Sequence, residues 1–274
     1  MSKLLVCDFS HWQGVPDWNV LAQQGYPAAI VKISQGLFPD QNAAFRVKTI
    51  STTSMLLGGY AFFEANVDAE EQADTYLSYG KTADFHILDL EWTPSNNPEY
   101  WNNLKQADRV EMAYTWLTTV EEETGKTPII YTNKAFWNQF FAMAPNVSKL
   151  YRFKLWDNAF GGAPVPIDGF EPPKLWQYTD KLQIPTVTGN VDGSYFLGSI
   201  QELWDWSEFS ITPNPGVYNP KVEALQRALK IGIDGKYGMQ TTDALKGWQS
   251  LHGFTADGLI TPSQWAVLFN VKVY

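Results

Sequence analysis

Phe85-His86-Ile87-Leu88-Asp89-Leu90-Glu91-Trp92 is an apolar run that reads as a buried β-strand with two acids at its end. Side chains at i and i+2 of a strand point to one face, so Asp89 and Glu91 stand side by side. Burying unpaired charge is unfavourable unless partners or a function compensate. Paired carboxylates in such a place are what acid/base chemistry needs. Outward from this strand, residues 3 to about 200 alternate short apolar strands with helical stretches, the signature of parallel β/α units.

Strands are predicted at 4–9, 28–34, 56–63, 85–92, 128–133, 153–158, 174–179 and 192–196, and helices at 20–24, 45–53, 69–79, 107–123 and 134–141. The fourth helix is the clearest, with Val110, Ala113, Tyr114, Leu117 and Val120 on one face. The last three strands leave little room for helices. The expected fold is therefore α/β, an eight-stranded barrel whose final third lacks helical cover. Active sites of β/α barrels lie at the C-terminal strand ends, where Asp8, Asp89, Glu91, Tyr131, Asn133, Trp176, Gln177 and Tyr178 all fall.

The chain changes character after residue 204. Ile211-Thr212-Pro213-Asn214-Pro215-Gly216 carries proline at alternate positions and reads as a linker. Beyond it, Leu225-Gln226 recurs as Trp248-Gln249, Asp234-Gly235 as Asp257-Gly258, and Leu245 as Leu268, each offset by 23 residues. Two copies of a helix followed by an Asp-Gly turn imply a duplicated helical module. The expected division is a barrel over 1–205, a linker over 206–218 and an all-α binding module over 219–274.

Composition narrows the partners. Among 274 residues, 29 acidic side chains outweigh 20 basic ones, and no Lys/Arg cluster occurs, which argues against nucleic acid and anionic membrane as partners. No apolar stretch reaches the roughly 18 residues of a membrane span, and Asp8 interrupts the N-terminal apolar run, so neither membrane insertion nor a signal peptide is expected. Cys7 is the only cysteine and reads as a small buried hydrophobe. The three histidines lack ligand spacing, so no metal and no cofactor is expected. The 12 Trp, 13 Tyr and 16 Phe would suit a sugar-binding cleft, since aromatic faces cover the apolar faces of sugar rings, or equally a large aromatic core.

Four separated motifs carry a resemblance. Val6-Cys7-Asp8-Phe9-Ser10-His11-Trp12-Gln13-Gly14, the Asp89-Leu90-Glu91 strand, Trp176-Gln177-Tyr178-Thr179, and Val191-Asp192 together resemble glycoside hydrolase family 25, the muramidase-type lysozymes. Residues 222–269 resemble the three-helix peptidoglycan-binding domain of wall hydrolases. The resemblance implies a flattened barrel of eight strands and about five helices, hydrolysing the β-1,4 bond between N-acetylmuramic acid and N-acetylglucosamine. It implies Glu91 as general acid/base, with Asp89, Asp8 and Asp192 completing an acidic cleft and Tyr60, Phe62, Tyr131, Asn133, Trp156, Trp176, Gln177 and Tyr178 binding substrate. It further implies retention of configuration, with the substrate's own acetamido oxygen as nucleophile. The expected partner is bacterial peptidoglycan and the expected state a monomer. The absent signal peptide suggests an endolysin held in the host cytoplasm until a membrane lesion releases it. Gln35 and Ala61 depart from the family, where an acid and a His are frequent.

Competing readings exist for several of these residues. Asp8 and Asp192 suit helix caps or turns. Asp89 and Glu91 could form a buried ion pair with Lys32, although one lysine cannot neutralise two acids. His11 and Trp12 either line the cleft or pack the first loop. In the module, Trp248, Phe254, Trp265 and Phe269 read as core, leaving polar groups near the Asp-Gly turns for ligand. At the level of the whole chain, a chitinase-like glycosidase and a non-catalytic wall-binding protein are the alternatives.

Overall fold

The computed structural model describes residues 2–92 and 98–274. Eight strands close into a barrel: β1 (Leu4–Phe9), β2 (Ala28–Gln35), β4 (Leu56–Phe62), β5 (Phe85–Asp89), β6 (Ile129–Thr132), β7 (Lys154–Asn158), β8 (Leu175–Leu182) and β9 (Val191–Phe196), with the short β3 (Phe38–Pro39) as a hairpin on β2. Closure comes from β1, which pairs with both β2 and β9. Strands from β1 to β8 run parallel around the barrel, and β9 runs antiparallel to both neighbours. The reason is length. Only residues 183–190 join β8 to β9, whereas a parallel return needs a crossover of about a dozen or more.

Helices α1 (Trp18–Gln23), α2 (Ala43–Ser51), α3 (Ala69–Gly80), α4 (Pro98–Asn103), α5 (Gln106–Thr124) and α6 (Lys134–Phe140) follow the first five barrel strands, α4 and α5 both coming after β5, and α7 (Ile200–Trp206) follows β9. The five expected helices correspond to α1, α2, α3, α5 and α6, and α4 and α7 are additional short ones. Alternation along each strand divides the core in two. Leu5, Cys7, Val31, Leu57, Leu88 and Ile130 face outward under the helices, while Leu4, Val6, Ile30, Phe85, Ile87 and Ile129 fill the barrel. The inward series continues upward on β1 to Asp8, on β4 to Tyr60, on β5 to Asp89 and on β6 to Tyr131. Charge therefore appears only where the apolar filling ends.

Beyond the barrel, β10 (Asn214–Tyr218), α8 (Pro220–Ala228), β11 (Lys236–Tyr237), α9 (Met239–Leu251) and α10 (Pro262–Leu268) form the C-terminal module. Residues 214–218, within the expected linker, are a strand paired with β11. The duplicated pattern has a structural meaning. Gln226 donates to Asp234 Oδ1 at 2.7 Å, to the Lys236 carbonyl and to Thr241 Oγ1, and accepts from the amides of Asp234 and Gly235. Gln249 repeats this 23 residues later, donating to Asp257 Oδ1 at 3.0 Å, the Leu259 carbonyl and Gln264 Oε1, and accepting from the Gly258 amide. Each buried glutamine thus clamps an Asp-Gly turn whose glycine has positive φ, 67° at Gly235 and 76° at Gly258. The clamp engages Asp234 Oδ1, Asp257 Oδ1 and the Gly235 and Gly258 amides.

The module is docked under the N-terminal ends of the barrel strands. Trp265, 1% exposed, donates from Nε1 to the Ser54 carbonyl at 3.1 Å and meets Trp204 of α7 edge-on at 5.7 Å. Lys221, 2% exposed, lies 3.3 Å from Asp84 and donates to the Met55 carbonyl. The last residues pair strand-like with the barrel, Tyr274 with Lys3 at 2.8 and 3.0 Å and the Lys272 amide with the Gly25 carbonyl at 3.0 Å.

Candidate active site

At the opposite end of the barrel, Asp8, Tyr60, Asp89, Glu91, Tyr131, Trp156, Gln177 and Asp192 line one small pit of about 50 Å³. Seven different strands supply its inward positions, together with the residue two beyond β5. Asp8 and Asp192 are directly opposed across the β1/β9 ladder. Neither acts as a helix cap. The i, i+2 relation places Glu91 above Asp89, as the strand period requires.

A chain of donors orients the pit. Asn158 Nδ2 donates to the Tyr131 hydroxyl at 2.7 Å, the Tyr131 hydroxyl to Gln177 Oε1 at 2.9 Å, and Gln177 Nε2 to Asp8 Oδ2 at 3.1 Å. Trp156 is held by donating to Ser194 Oγ at 3.1 Å. Asp89 Oδ1 is buried with no hydrogen-bond partner among the described residues. Its oxygen is thereby left for a group entering the pit.

Every carboxyl of the cluster holds its proton more tightly than usual. Burial raises Asp8, which the opposed Asp192 raises further, and burial also raises Asp89, with Glu91 adding to it. Burial and the charge of Asp192 push Glu91 up to about 7, and burial with the charge of Asp180 pushes Asp192 up to about 6. Glu91 therefore carries a proton in a substantial fraction of molecules at neutral pH. The expected repulsion on Glu91 comes from Asp192 across the pit, while the Asp89–Glu91 repulsion is felt at Asp89. Lys32 is no ion-pair partner for the strand acids: its ammonium donates to Gln35 Oε1 at 2.7 Å, and its charge only partly opposes the rise at Asp89 and Glu91. Gln35 in turn donates to Glu64 Oε1 at 2.7 Å, so at this departure from the family the amide bridges a cation and an acid.

Four expected substrate-binding residues lie outside the pit. Trp176 and Tyr178 flank the inward Gln177, so alternation sends both to the outer face of β8. There Trp176 donates to the Ala159 carbonyl at 2.7 Å and Tyr178 stacks on Tyr195 at 4.4 Å. Asn133 caps α6, its side-chain Oδ1 accepting from the Phe136 amide at 2.9 Å. Phe62 lies under the Lys32 ammonium, 5.0 Å from its ring centre. Asn158 and Ser194 join the site without a motif that singles them out.

Lys32 also lines a larger cleft of about 530 Å³ with His11, Asp40, Glu64, Tyr100 and the β2/β3 turn, whose Phe38 is 79% exposed. Trp12 is 81% exposed and packs against His11 at 4.5 Å. It is thus not part of a packed first loop.

Comparison with known proteins follows the same division. Residues 7–187 match glycosyl hydrolases family 25, and residues 218–268 match a peptidoglycan binding domain. Lysozyme M1 of Streptomyces globisporus is 26% identical over 209 residues, 72% of this chain and 68% of that protein. The fold is similar to that of the bacterial lysozyme from Streptomyces coelicolor, with a TM-score of 0.68 and 23% identity over 74% of this chain and 96% of that one. It is also similar to a family 25 glycosyl hydrolase from Bacillus anthracis, with a TM-score of 0.63 and 22% identity over 74% of this chain and 93% of that one. Because the match runs through the strands that bear Asp8, Asp89 and Glu91 and a second match covers the docked module, the chain belongs to glycosyl hydrolases family 25, as a muramidase-type glycoside hydrolase with a peptidoglycan-binding domain.

Proposed function

We propose that the enzyme cleaves the β-1,4 bond between N-acetylmuramic acid and N-acetylglucosamine with retention, Glu91 serving as general acid and then general base. The supporting observation is the raised Glu91, a proton donor at neutral pH beside buried acids. Glycoside cleavage needs a protonated carboxyl at the leaving oxygen and a second group to trap the oxocarbenium-like carbon. In this reading Glu91 gives its proton to the glycosidic oxygen as the C1–O bond breaks. The acetamido oxygen of the same sugar bonds to C1, and Asp89 or Asp192 accepts a hydrogen bond from the acetamido N–H. Glu91, now a carboxylate, takes a proton from the water that opens this ring, returning the site to its starting state. Asp8, fixed through Gln177 and Tyr131, contributes by holding the cluster's geometry and charge.

One chain supplies every carboxyl, so a monomer suffices. Among the described residues no helix is long and apolar enough to cross a membrane. We place the enzyme among lytic proteins of the endolysin type, reaching the wall after release from the host cytoplasm.

Glu91→Gln tests the assignment. It should clear wall suspensions about 10²- to 10⁴-fold more slowly, the usual contribution of a general acid, while keeping the fold. Equal clearing by both proteins removes Glu91 from the mechanism. A muramic acid reducing end in the digest supports the bond assignment, and N-acetylglucosamine at that end refutes it. Proton NMR of early product reads stereochemistry, with the inverted anomer appearing first sinking the acetamido route.

A further inference from the structure

A cleft of about 1110 Å³ lies beneath the barrel, on the face opposite the acids, between α2 and α3 on one side and β10 and α8 on the other. Each wall presents one exposed tyrosine, Tyr79 at the end of α3 and Tyr218 at the end of β10. Tyr218 is fixed in place. Its hydroxyl donates to Glu223 Oε1 at 2.8 Å, and its ring covers Gly235, where an added Cβ would come within 2.5 Å of the ring.

The charges on the floor are already answered within the protein. Lys221 pairs with Asp84, Lys126 donates to the Asp84 carbonyl, and Glu208 accepts from Lys154 and the Thr127 amide. Much of the remaining lining is hydroxyl and amide, including Ser51, Thr52, Thr82, Thr212 and Asn214. Apart from Lys48, an exposed cation on α2, the lining offers aromatic faces on two walls, hydroxyls and amides between them and floor charges held by protein groups, which suits an uncharged ligand that has apolar faces and many hydroxyls. That description fits a saccharide.

We infer that this interdomain cleft is a second glycan-binding site, holding the sugar backbone of peptidoglycan rather than its stem peptides. The inference rests on the peptidoglycan reading of the module and adds where, and by which component, the wall is held. Because the barrel contributes one wall, the site exists only in the docked assembly. Asp84 on its floor, immediately before β5, and Asp89 in the pit at the end of β5 are five residues apart along the chain, about 17 Å. A strand held below is thus kept at a fixed distance from the strand being cut above, which raises the local substrate concentration without touching the chemistry.

Binding is measured in a Glu91→Gln background, by sedimentation with purified sacculi and with glycan strands stripped of stem peptides by an amidase. Tyr79→Ala removes one aromatic face, and Ser78→Trp, at an exposed α3 position lining the cleft, fills it. Each should weaken binding to stripped glycan roughly tenfold, with thermal melting unchanged and, in the Glu91-containing protein, with cleavage of soluble fragments unchanged. Undiminished binding of the Ser78→Trp protein overturns the inference. Binding of the parent to sacculi but not to stripped glycan assigns the wall contact to the stem peptide and overturns it too. If the parent binds neither, the peptidoglycan reading of the module itself fails.

Discussion

At the scale of single residues, the acids that make the site useful also burden the fold. Glu91 has its pKa raised from an ordinary 4.5 to about 7, so the native state binds a proton that the unfolded chain releases. Below about pH 4.5 both states are protonated and no penalty arises. Stability falls as pH climbs through 4.5 to 7, and above 7 the full cost of ionising a buried group is present. Glu91→Gln removes this cost. Urea unfolding should show variant and parent alike at pH 4 and the variant more stable at pH 7.5, by an amount on the order of 3 kcal/mol. A gap that does not change with pH would refute the linkage. The strand period alone brought Asp89 and Glu91 together, because an i, i+2 pair shares a face whatever the fold around it. The phase of β8 was not legible in the same way. Both faces of a barrel strand are apolar, so Trp176 and Tyr178 look as suitable as Gln177 until the closed barrel shows which face is inside. Asn158 carries no signal at all, since its role is to orient Tyr131 from a neighbouring strand.

At the scale of elements, what repeats in the chain repeats in its hydrogen bonds. The 23-residue offset that joins Gln226 to Gln249 and Asp234 to Asp257 marks two turns held by one device, a buried amide satisfied on both its oxygen and its nitrogen. Such an amide is costly to remove, because its partners are left buried and unpaired. Gln249→Leu should therefore destabilise the module by about 2 to 3 kcal/mol, while Gln201→Leu, on the exposed face of α7, should cost under about 0.5 kcal/mol. Chemical denaturation of the two variants decides the point, and equal costs would mean the clamp contributes nothing. The reversed β9 was legible in a different sense. The eight strands could be counted from apolar runs, but the direction of the last was written in the shortness of residues 183–190 rather than in any strand residue. Asp192 consequently reaches the pit from the start of its strand, opposite Asp8, and not from the C-terminal end that a parallel barrel would use.

At the scale of the whole molecule, proline-rich residues 211–216 suggest a flexible tether, and the surfaces on either side argue otherwise. Ile211 itself is buried, Trp204 and Trp265 meet between the two parts, and the final residues pair with the barrel strand that starts the chain. Linker composition could not reveal this, because docking is decided by complementary surfaces far apart in sequence. Lys221 makes the point most sharply: a lysine in a helix reads as solvated, yet here it is buried against the carbonyls beneath β4 and beside Asp84. An interface built this way resembles a core rather than the loose contact of independently moving domains. Calorimetry should accordingly show one cooperative unfolding transition for the full chain. Lys221→Met keeps much of the side-chain volume but leaves Asp84 without its cation, and breaking a buried pair from one side costs about 3 to 5 kcal/mol. In that variant the module should melt ahead of the barrel, so that a second, lower-temperature transition separates from the first. Two transitions in the parent protein would show instead that module and barrel unfold independently, and would return residues 211–216 to the role of a tether.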